Sequence, residues 1–270
     1  MSYILVDKPH PNVSRITLNR PGRMNAMAFD VMIPFRQAIE EVRVDNDTRV
    51  LVITGAGKAF CSGADLEDPG RVPDIDGLGP PAIAQRAGRL LHDVVIGLHD
   101  LPIPVIAAIN GPAIGGGFCL AAACDIRVAN EAAFFRAAGV NNGLTSAELG
   151  LSFTLPRAIG SSRAMELMLT GRDMGADEAL LAGFVSAVTE PDELFDHCFA
   201  IADQVIRWSR AGIELSKQQV WAGLEAGSFH THVTQEMNSQ LLVRMTTGNF
   251  EEAIAARKEG RQPVFRDGRP

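Results

Sequence analysis

The sequence predicts an α/β fold: a parallel sheet interleaved with helices, followed by an all-helical C-terminal part. Three observations carry this reading. Two uninterrupted apolar runs, Arg49–Thr54 (RVLVIT) and Pro102–Ile109 (PIPVIAAI), read as strands buried on both faces, the usual state of strands in parallel sheets. Strand-like and helical stretches alternate up to about residue 190. Beyond that point strand signals cease, and apolar residues recur at helical spacing between glycines. A chain of 270 residues can form one large domain or a core with a subdomain; the expected division is 1–195 and 196–270.

Taken in order, residues 3–8 (YILVDK) and 13–19 (VSRITLN) read as two short strands around a Pro-Asn turn, a candidate hairpin. Arg20-Pro21-Gly22-Arg23 is a turn. Phe29–Val44 is a helix with Ile33, Ala38, Ile39 and Val42 on its apolar side, Asp30 as a candidate N-cap, and Pro34 tolerated through its nearness to the first turn. Gly55–Asp65 is a glycine-punctuated loop. Glu67–Pro81 (EDPGRVPDIDGLGPP) lacks periodicity and is read as a mobile surface loop. Helix Ile83–Leu98, strand Pro102–Ile109 and short strands at 126–129 and 132–135 follow. Helices are then expected at 146–159, 161–169 and 176–181, a strand at Phe184–Val188, and helices at 192–207, 212–224, 230–245 and 250–259. No internal repeat or low-complexity segment is evident.

Composition excludes several functions. A net charge of −7 argues against nucleic-acid binding. No apolar run reaches the roughly 18 residues that span a bilayer, and the N-terminus lacks the charged and apolar regions of a signal peptide. Cys61, Cys119, Cys124 and Cys198 are scattered without a CxxC pair, which points to reduced thiols, a cytoplasmic location and no structural zinc. Without secretion the Asn12-Val13-Ser14 sequon carries no meaning. Gly55-Ala56-Gly57-Lys58 is followed by Ala59, not Ser or Thr, so it is no phosphate loop; Gly115-Gly116-Gly117 is not GxGxxG. The histidines do not group as metal ligands: His230 and His232 point to different helix faces, and His92 and His99 have no third partner. Nothing ties Cys119 or a serine to a base, so the cysteines in this stretch read as small core residues.

Two glycine loops remain, Phe60–Asp65 (FCSGAD) and Ile114–Gly117 (IGGG). Each follows a buried strand. In α/β sheets the loops at the carboxyl ends of strands converge on the ligand site. Two backbone N–H groups, one at a helix start, can then grip one oxygen that gains negative charge. The simpler reading is that the glycines only make tight turns.

RPGRMNAM at 20–27, ITGAGKAFCSGADL at 53–66, PVIAAINGPAIGGGFCLAAACDIRVA at 104–129 and LPRAIGSSRAMELMLTGRDMGADEALLAGFVSAV at 155–188 together resemble the crotonase superfamily, the enoyl-CoA hydratase/isomerase family, in order and spacing. RQPVF near the end resembles the family's C-terminus. The resemblance spans essentially the whole chain. It implies a spiral core of strand-strand-helix units over 1–195 holding an acyl-CoA site, and a helical region over 196–270 that builds trimers, often paired as hexamers. It implies an acyl-CoA substrate, with coenzyme A as part of that substrate and no separate cofactor. By motif match the oxyanion hole falls on the N–H groups of Ala64 and Gly116. Arg23, Met24, Ala26 and Ser62 match the coenzyme-binding region, and Arg257, Lys258 or Arg261 meet phosphates, in part from a neighbouring subunit.

The acids depart from the pattern. The two hydratase glutamates fall on Cys119 and Gly139, so the acid and base around one water are both missing. Glu148, in NNGLTSAELGLS, stands close to where dienoyl-CoA isomerases of the family carry an aspartate. A lone carboxylate over an enolate hole suits isomerisation, in which a proton leaves one carbon and returns to another. Its pKa would have to be raised by an apolar setting, for which Leu144, Leu149, Leu151 and Phe153 are candidates. A first-turn helix acid is the simpler reading of Glu148. Asp65, Glu67 and Asp68 are the weaker acid candidates. The expected function is therefore an enolate-stabilising enzyme on an acyl-CoA thioester, an isomerase before a hydratase; the alternative is an acyl-CoA-binding protein that has lost catalysis.

Overall fold

The computed structural model describes residues 2–266. Among them, nine strands make two sheets. The larger sheet has the order β1-β2-β3-β4-β6-β9, formed by β1 (Ile4–His10), β2 (Val13–Leu18), β3 (Val50–Gly55), β4 (Val105–Ile109), β6 (Ile126–Asn130) and β9 (Ala187–Thr189). The β1–β2 hairpin is antiparallel and every other pairing is parallel. The smaller sheet has the order β5-β7-β8, from β5 (Ala113–Ile114), β7 (Phe134–Arg136) and β8 (Met174–Gly175). Isolated parallel bridges at Cys61↔Ala113 and Met27↔Ala64 continue its line.

Side-chain alternation explains the layers. Along β3, Leu51 and Ile53 join one core and Val50 and Val52 the other; along β4, Val105, Ala107 and Ile109 part from Ile106 and Ala108 in the same way. The first core lies under helices α1 (Phe29–Val44), α2 (Pro80–His99) and α3 (Gly116–Ala123). The second lies under α7 (Leu194–Ile206), through Leu194, Cys198 and Ala202. Both faces are covered, so the strands are apolar throughout. Phe118, Phe135 and Phe184 meet with ring centroids 4.9–5.4 Å apart and tie α3 to β7.

Helices α4 (Leu151–Ile159), α5 (Ser161–Thr170) and α6 (Ala176–Ala182) complete the core. Beyond α7 the chain is helical, with α8 (Arg210–Glu225), α9 (Phe229–Thr246) and α10 (Asn249–Glu259). The boundary expected at 195 falls inside α7, and α7 packs on the sheet. The later helices bury little: α8 and α9 contain no buried residue.

Most elements stand where the sequence places them, with five differences. The helix expected at 146–159 begins at Leu151, because Leu149 (φ 45°) and Gly150 (φ 81°) are left-handed and cannot continue a helix backwards. Helix α2 begins at Pro80, where a proline at the first position costs no hydrogen bond. The strand expected at 184–188 is Ala187–Thr189, since Phe184 is drawn into the aromatic cluster. The two-residue strands β5 and β8 are too short to leave a periodic signal. Pro34 sits beyond the first turn of α1, where it forfeits one backbone bond.

One buried ion pair links the C-terminal helices to this core. Asp125, just after α3, accepts from Val105 N–H at 2.7 Å and Trp221 Nε1 at 2.8 Å, and lies 2.8 Å from Lys217 Nζ. The Lys217 and Asp125 side chains are 8% and 14% exposed, so neither charge is well solvated. Removing one partner strands the other. Asp125→Ala is expected to cost about 3–5 kcal/mol in urea unfolding, whereas the double variant Asp125→Ala/Lys217→Met should recover part of that loss.

Candidate active site

Two loops leave the carboxyl ends of β3 and β4 and meet. At the first, Met27 N–H donates to Gly63 O at 2.7 Å and Asp65 N–H donates to Met27 O at 2.9 Å, bracketing Ala64. At the second, Gly115 adopts φ 52°, ψ −119°, a conformation confined to glycine, and turns the chain straight into α3. Gly116 is the first residue of that helix, where the N–H has no intrahelical acceptor and the positive end of the helix dipole lies. Among the described residues neither the Ala64 nor the Gly116 N–H finds a hydrogen-bond partner. A Cβ placed on Gly63 would lie 3.3 Å from Gly116 N, which shows how closely the loops approach.

Buried polar side chains hold this geometry. Asn25, fully buried and left-handed at φ 57°, accepts from Arg20 N–H and donates to Ala56 O and Ala59 O. Asn110 accepts from Gly55 N–H and donates to Gly57 O, while its carbonyl accepts from Asn130 Nδ2. Asp65 accepts from Arg23, Arg20 and the N–H groups of Glu67 and Asp68. The Arg23 guanidinium, followed by the Asp68 and Glu67 N–H groups, holds the Asp65 carboxyl well below the ordinary carboxylate range. Asp65 is thus a fixed anion that clamps the loop, not a proton carrier.

The carboxylate that does face this place is Glu148. A Cβ on Gly115 would lie 3.6 Å from Glu148 Oε1, 3.8 Å from Ala138 Cβ and 4.0 Å from Gly63 Cα. Glu148 lies in the turn before α4, not in the helix. Its side chain is half-buried, and burial raises its pKa above the ordinary value. Cys119 Sγ stands 3.5 Å from Glu148 O as donor. Burial, and then the charge of Glu148, push the Cys119 thiol up; burial pushes Cys61 to about 12. Neither thiol is a nucleophile here. Leu151 is buried beside this turn and Leu149 half-buried, but Leu144 is 70% exposed and contributes nothing to the apolar setting expected of it. Phe153 carries the Arg157 guanidinium over its ring at 3.4 Å, and is occupied there.

Gly139 accepts no side chain. A Cβ there would overlap the Thr145 carbonyl oxygen and carbon and lie 2.7 Å from Ser146 N. The loop is drawn tight by Leu144 N–H and Asn142 N–H donating to Gly139 O, and by Ser146 Oγ donating to Ala137 O.

Arg23, Met24, Ala26, Ser62 and Ala64 line one open cleft of about 320 Å³, so five of the expected site residues converge. The Arg23 guanidinium is bound to Asp65 and Glu67, so a phosphate there competes with carboxylates. Arg261 does not line the cleft; on the C-terminal helical region it is bound to Glu252 and Glu259. Four larger cavities, of about 380–540 Å³, lie against α8, lined by no residue of either glycine loop. Among the described residues no group of His, Cys, Asp and Glu is placed to hold a metal ion.

Residues 9–268 match the model of the family described as Enoyl-CoA hydratase/isomerase. The chain belongs to that family. Its fold is the crotonase fold. The chain is 56% identical over 267 residues to "Probable enoyl-CoA hydratase EchA12" of Mycobacterium tuberculosis, covering 99% of this chain and 94% of that one. The structure of a probable enoyl-CoA hydratase/isomerase from Mycobacterium abscessus superposes with a TM-score of 0.95 at 56% identity and full coverage of both chains. A monofunctional enoyl CoA isomerase from M. smegmatis superposes with a TM-score of 0.73 at 47% identity, covering 86% of this chain and 99% of that one.

Three features of this family member escaped the sequence reading. Met27 lay within a recognised motif but carried no assignment of its own. The left-handed Leu149 has no residue-type signal, because leucine rarely adopts that conformation. The closure of Gly139 onto Thr145 depends on tertiary contact. Gly139→Glu, which restores a hydratase carboxylate in name, is expected to gain no hydratase activity and to lose the activity of the wild type. Gly139→Ala should already lower stability by about 1–3 kcal/mol, read as the shift in thermal midpoint of each purified variant.

Proposed function

We propose that the chain moves the double bond of an enoyl-CoA thioester through a stabilised enolate, with Glu148 as the one acid/base. The observation that carries this reading is the placement of Glu148 Oε1 beside Gly115, between the two oxyanion loops, while Cys119 and Gly139 bring no carboxylate. The Glu148 carboxylate takes a proton from carbon next to, or in vinylogous conjugation with, the thioester. The electron pair moves onto the thioester oxygen, where the Ala64 and Gly116 N–H groups receive it. The protonated Glu148 then returns the proton to the other end of the conjugated system, and both enzyme and charge are restored. Hydration needs one group to activate water and another to protonate carbon. A single carboxylate supports isomerisation better.

Names among the relatives point both ways, one to a probable hydratase and one to a monofunctional isomerase. The coenzyme is read into the cleft at Arg23, Met24, Ala26 and Ser62, with Arg261 reaching a phosphate only from another copy of the chain. Exposed Phe229, Val233, Met237 and Met245 on α9 suit a homotrimer, alone or paired as a hexamer. Among the described residues no helix is long and apolar enough to cross a membrane. The four buried, unpaired thiols favour a cytoplasmic setting.

Purified protein incubated with 2-enoyl- and 3-enoyl-CoA of several chain lengths is expected to interconvert them and form little 3-hydroxyacyl-CoA. Glu148→Gln should lower kcat about 10²–10⁴-fold. Hydration alone by the wild type would remove the isomerase reading. Equal turnover by Glu148→Gln would remove the role of Glu148. Binding of acyl-CoA without turnover in either would favour the binding-protein alternative.

The pH dependence follows from burial. Catalysis needs the ionised form first, so kcat/KM should fall as pH drops through a pKa above the ordinary glutamate value, and this limb should vanish in Glu148→Gln. Stability moves oppositely. A carboxyl whose folded pKa is raised binds its proton more tightly in the native state, so its contribution is present at low pH and is lost as pH rises through the folded pKa. Glu148→Gln is therefore expected to melt higher than wild type at neutral pH while being inactive.

A further inference from the structure

We infer that Met27 is a positioning residue that locks the two halves of the oxyanion hole to each other. This rests on the enolate reading above and adds to it a residue that touches both donors' carriers.

The first contact is through the backbone. Met27 N–H donates to Gly63 O at 2.7 Å, and Met27 O accepts from Asp65 N–H at 2.9 Å, a parallel bridge centred on Ala64. In parallel pairing one residue bonds the partners before and after the residue opposite, whose own N–H and C=O turn to the other edge. Pairing with Met27 is thus what leaves the Ala64 N–H unbonded and directed away. The second contact is through the side chain. A Cβ on Gly116 would overlap Met27 Sδ and lie 3.1 Å from Cε, so the thioether rests directly on the bare Cα of the other donor residue. Leu149 Cδ1 stands 3.6 Å from the same point. Met27 is 6% exposed, so its rotamer is held by packing.

An unbranched, polarisable thioether can lie flat on a glycine. A β-branched side chain cannot reach so far, and a shorter one leaves a gap. Gly116 opens α3 and Ala64 belongs to a loop from β3; the Cys61↔Ala113 bridge joins the two loops three residues before each donor, and Met27 is a contact that joins them at the donor residues themselves.

Two readouts separate this from ordinary packing: the split between kcat and KM, and the near-ultraviolet enolate band of bound acetoacetyl-CoA, whose acidic α-protons let an oxyanion hole draw out the enolate. Met27→Ala is expected to lower kcat for isomerisation about 10–100-fold. KM should stay within about threefold and the enolate band should weaken. Met27→Leu, of similar reach, should restore both readouts, while Met27→Val should not. Melting curves confirm that each variant is folded; should Met27→Ala fail to fold, Met27→Val carries the test. A folded Met27→Ala or Met27→Val with kcat and enolate band within about twofold of wild type overturns the inference, as does a loss confined to KM. A wild type that neither isomerises nor raises the enolate band overturns the enolate reading first and the role of Met27 with it. Wild-type turnover with an indifferent Met27→Ala overturns the role of Met27 alone.

Discussion

Two backbone N–H groups left unbonded where two glycine loops meet are the constraint around which this chain is built. An amide without a partner forgoes a hydrogen bond that unfolding would give it with water. The chain supplies what holds the pair open. Gly115 provides a backbone geometry that a side chain would forbid, and α3 begins one residue later so that its dipole ends at the site. Asn25 and Asn110 fill the inner side of the first loop with amide hydrogen bonds. Asp65 collects two arginines and two N–H groups on the outer side. Each of these polar groups is satisfied, so the loop is held with no orphaned donors beyond the Ala64 and Gly116 N–H groups.

Glu148 is held against its own preferences. Removal from water raises its pKa. The residue after it, Leu149, is left-handed, a conformation that costs a non-glycine residue about 1–2 kcal/mol. The fold imposes both through the tight 137–146 loop, Ser146, and the Cys119 thiol on the Glu148 carbonyl. Strain and desolvation gathered at one carboxylate, with good satisfaction elsewhere, mark Glu148 as a candidate functional group.

The fold was largely legible in the sequence because its strands are buried on both sides. RVLVIT and PIPVIAAI admit few other readings, and the long helices after residue 190 carry their period clearly. What escaped is local and tertiary. The strands β5 and β8 are two residues long, and the start of α4 is set by one left-handed leucine. The oxyanion loops could be named from glycines following buried strands. The clamps could not, because Asn25, Asn110 and Asp65 look like ordinary turn residues until the loops are brought together. Arg23 shows the converse: its place in a motif suggested a free cation, and only the structure shows two carboxylates already on it.

The relocation of the acid also bears on how one fold serves several reactions. At residue 119 a side chain points from α3 toward Glu148, and a carboxylate there would lie beside a second one, each raising the other's pKa. Cysteine avoids that repulsion, and its thiol donates to the carbonyl of the very residue that holds the acid. At residue 139 the route is closed by backbone, since Thr145 occupies the space a side chain would need. The two positions are coupled through one loop: closing it over Gly139 brings residues 145–148 inward and delivers Glu148 to Gly115. An acid at 139 and an acid at 148 in this position are therefore mutually exclusive geometries. Carrying a carboxylate at both positions then needs another loop path, with the two glycine loops left in place.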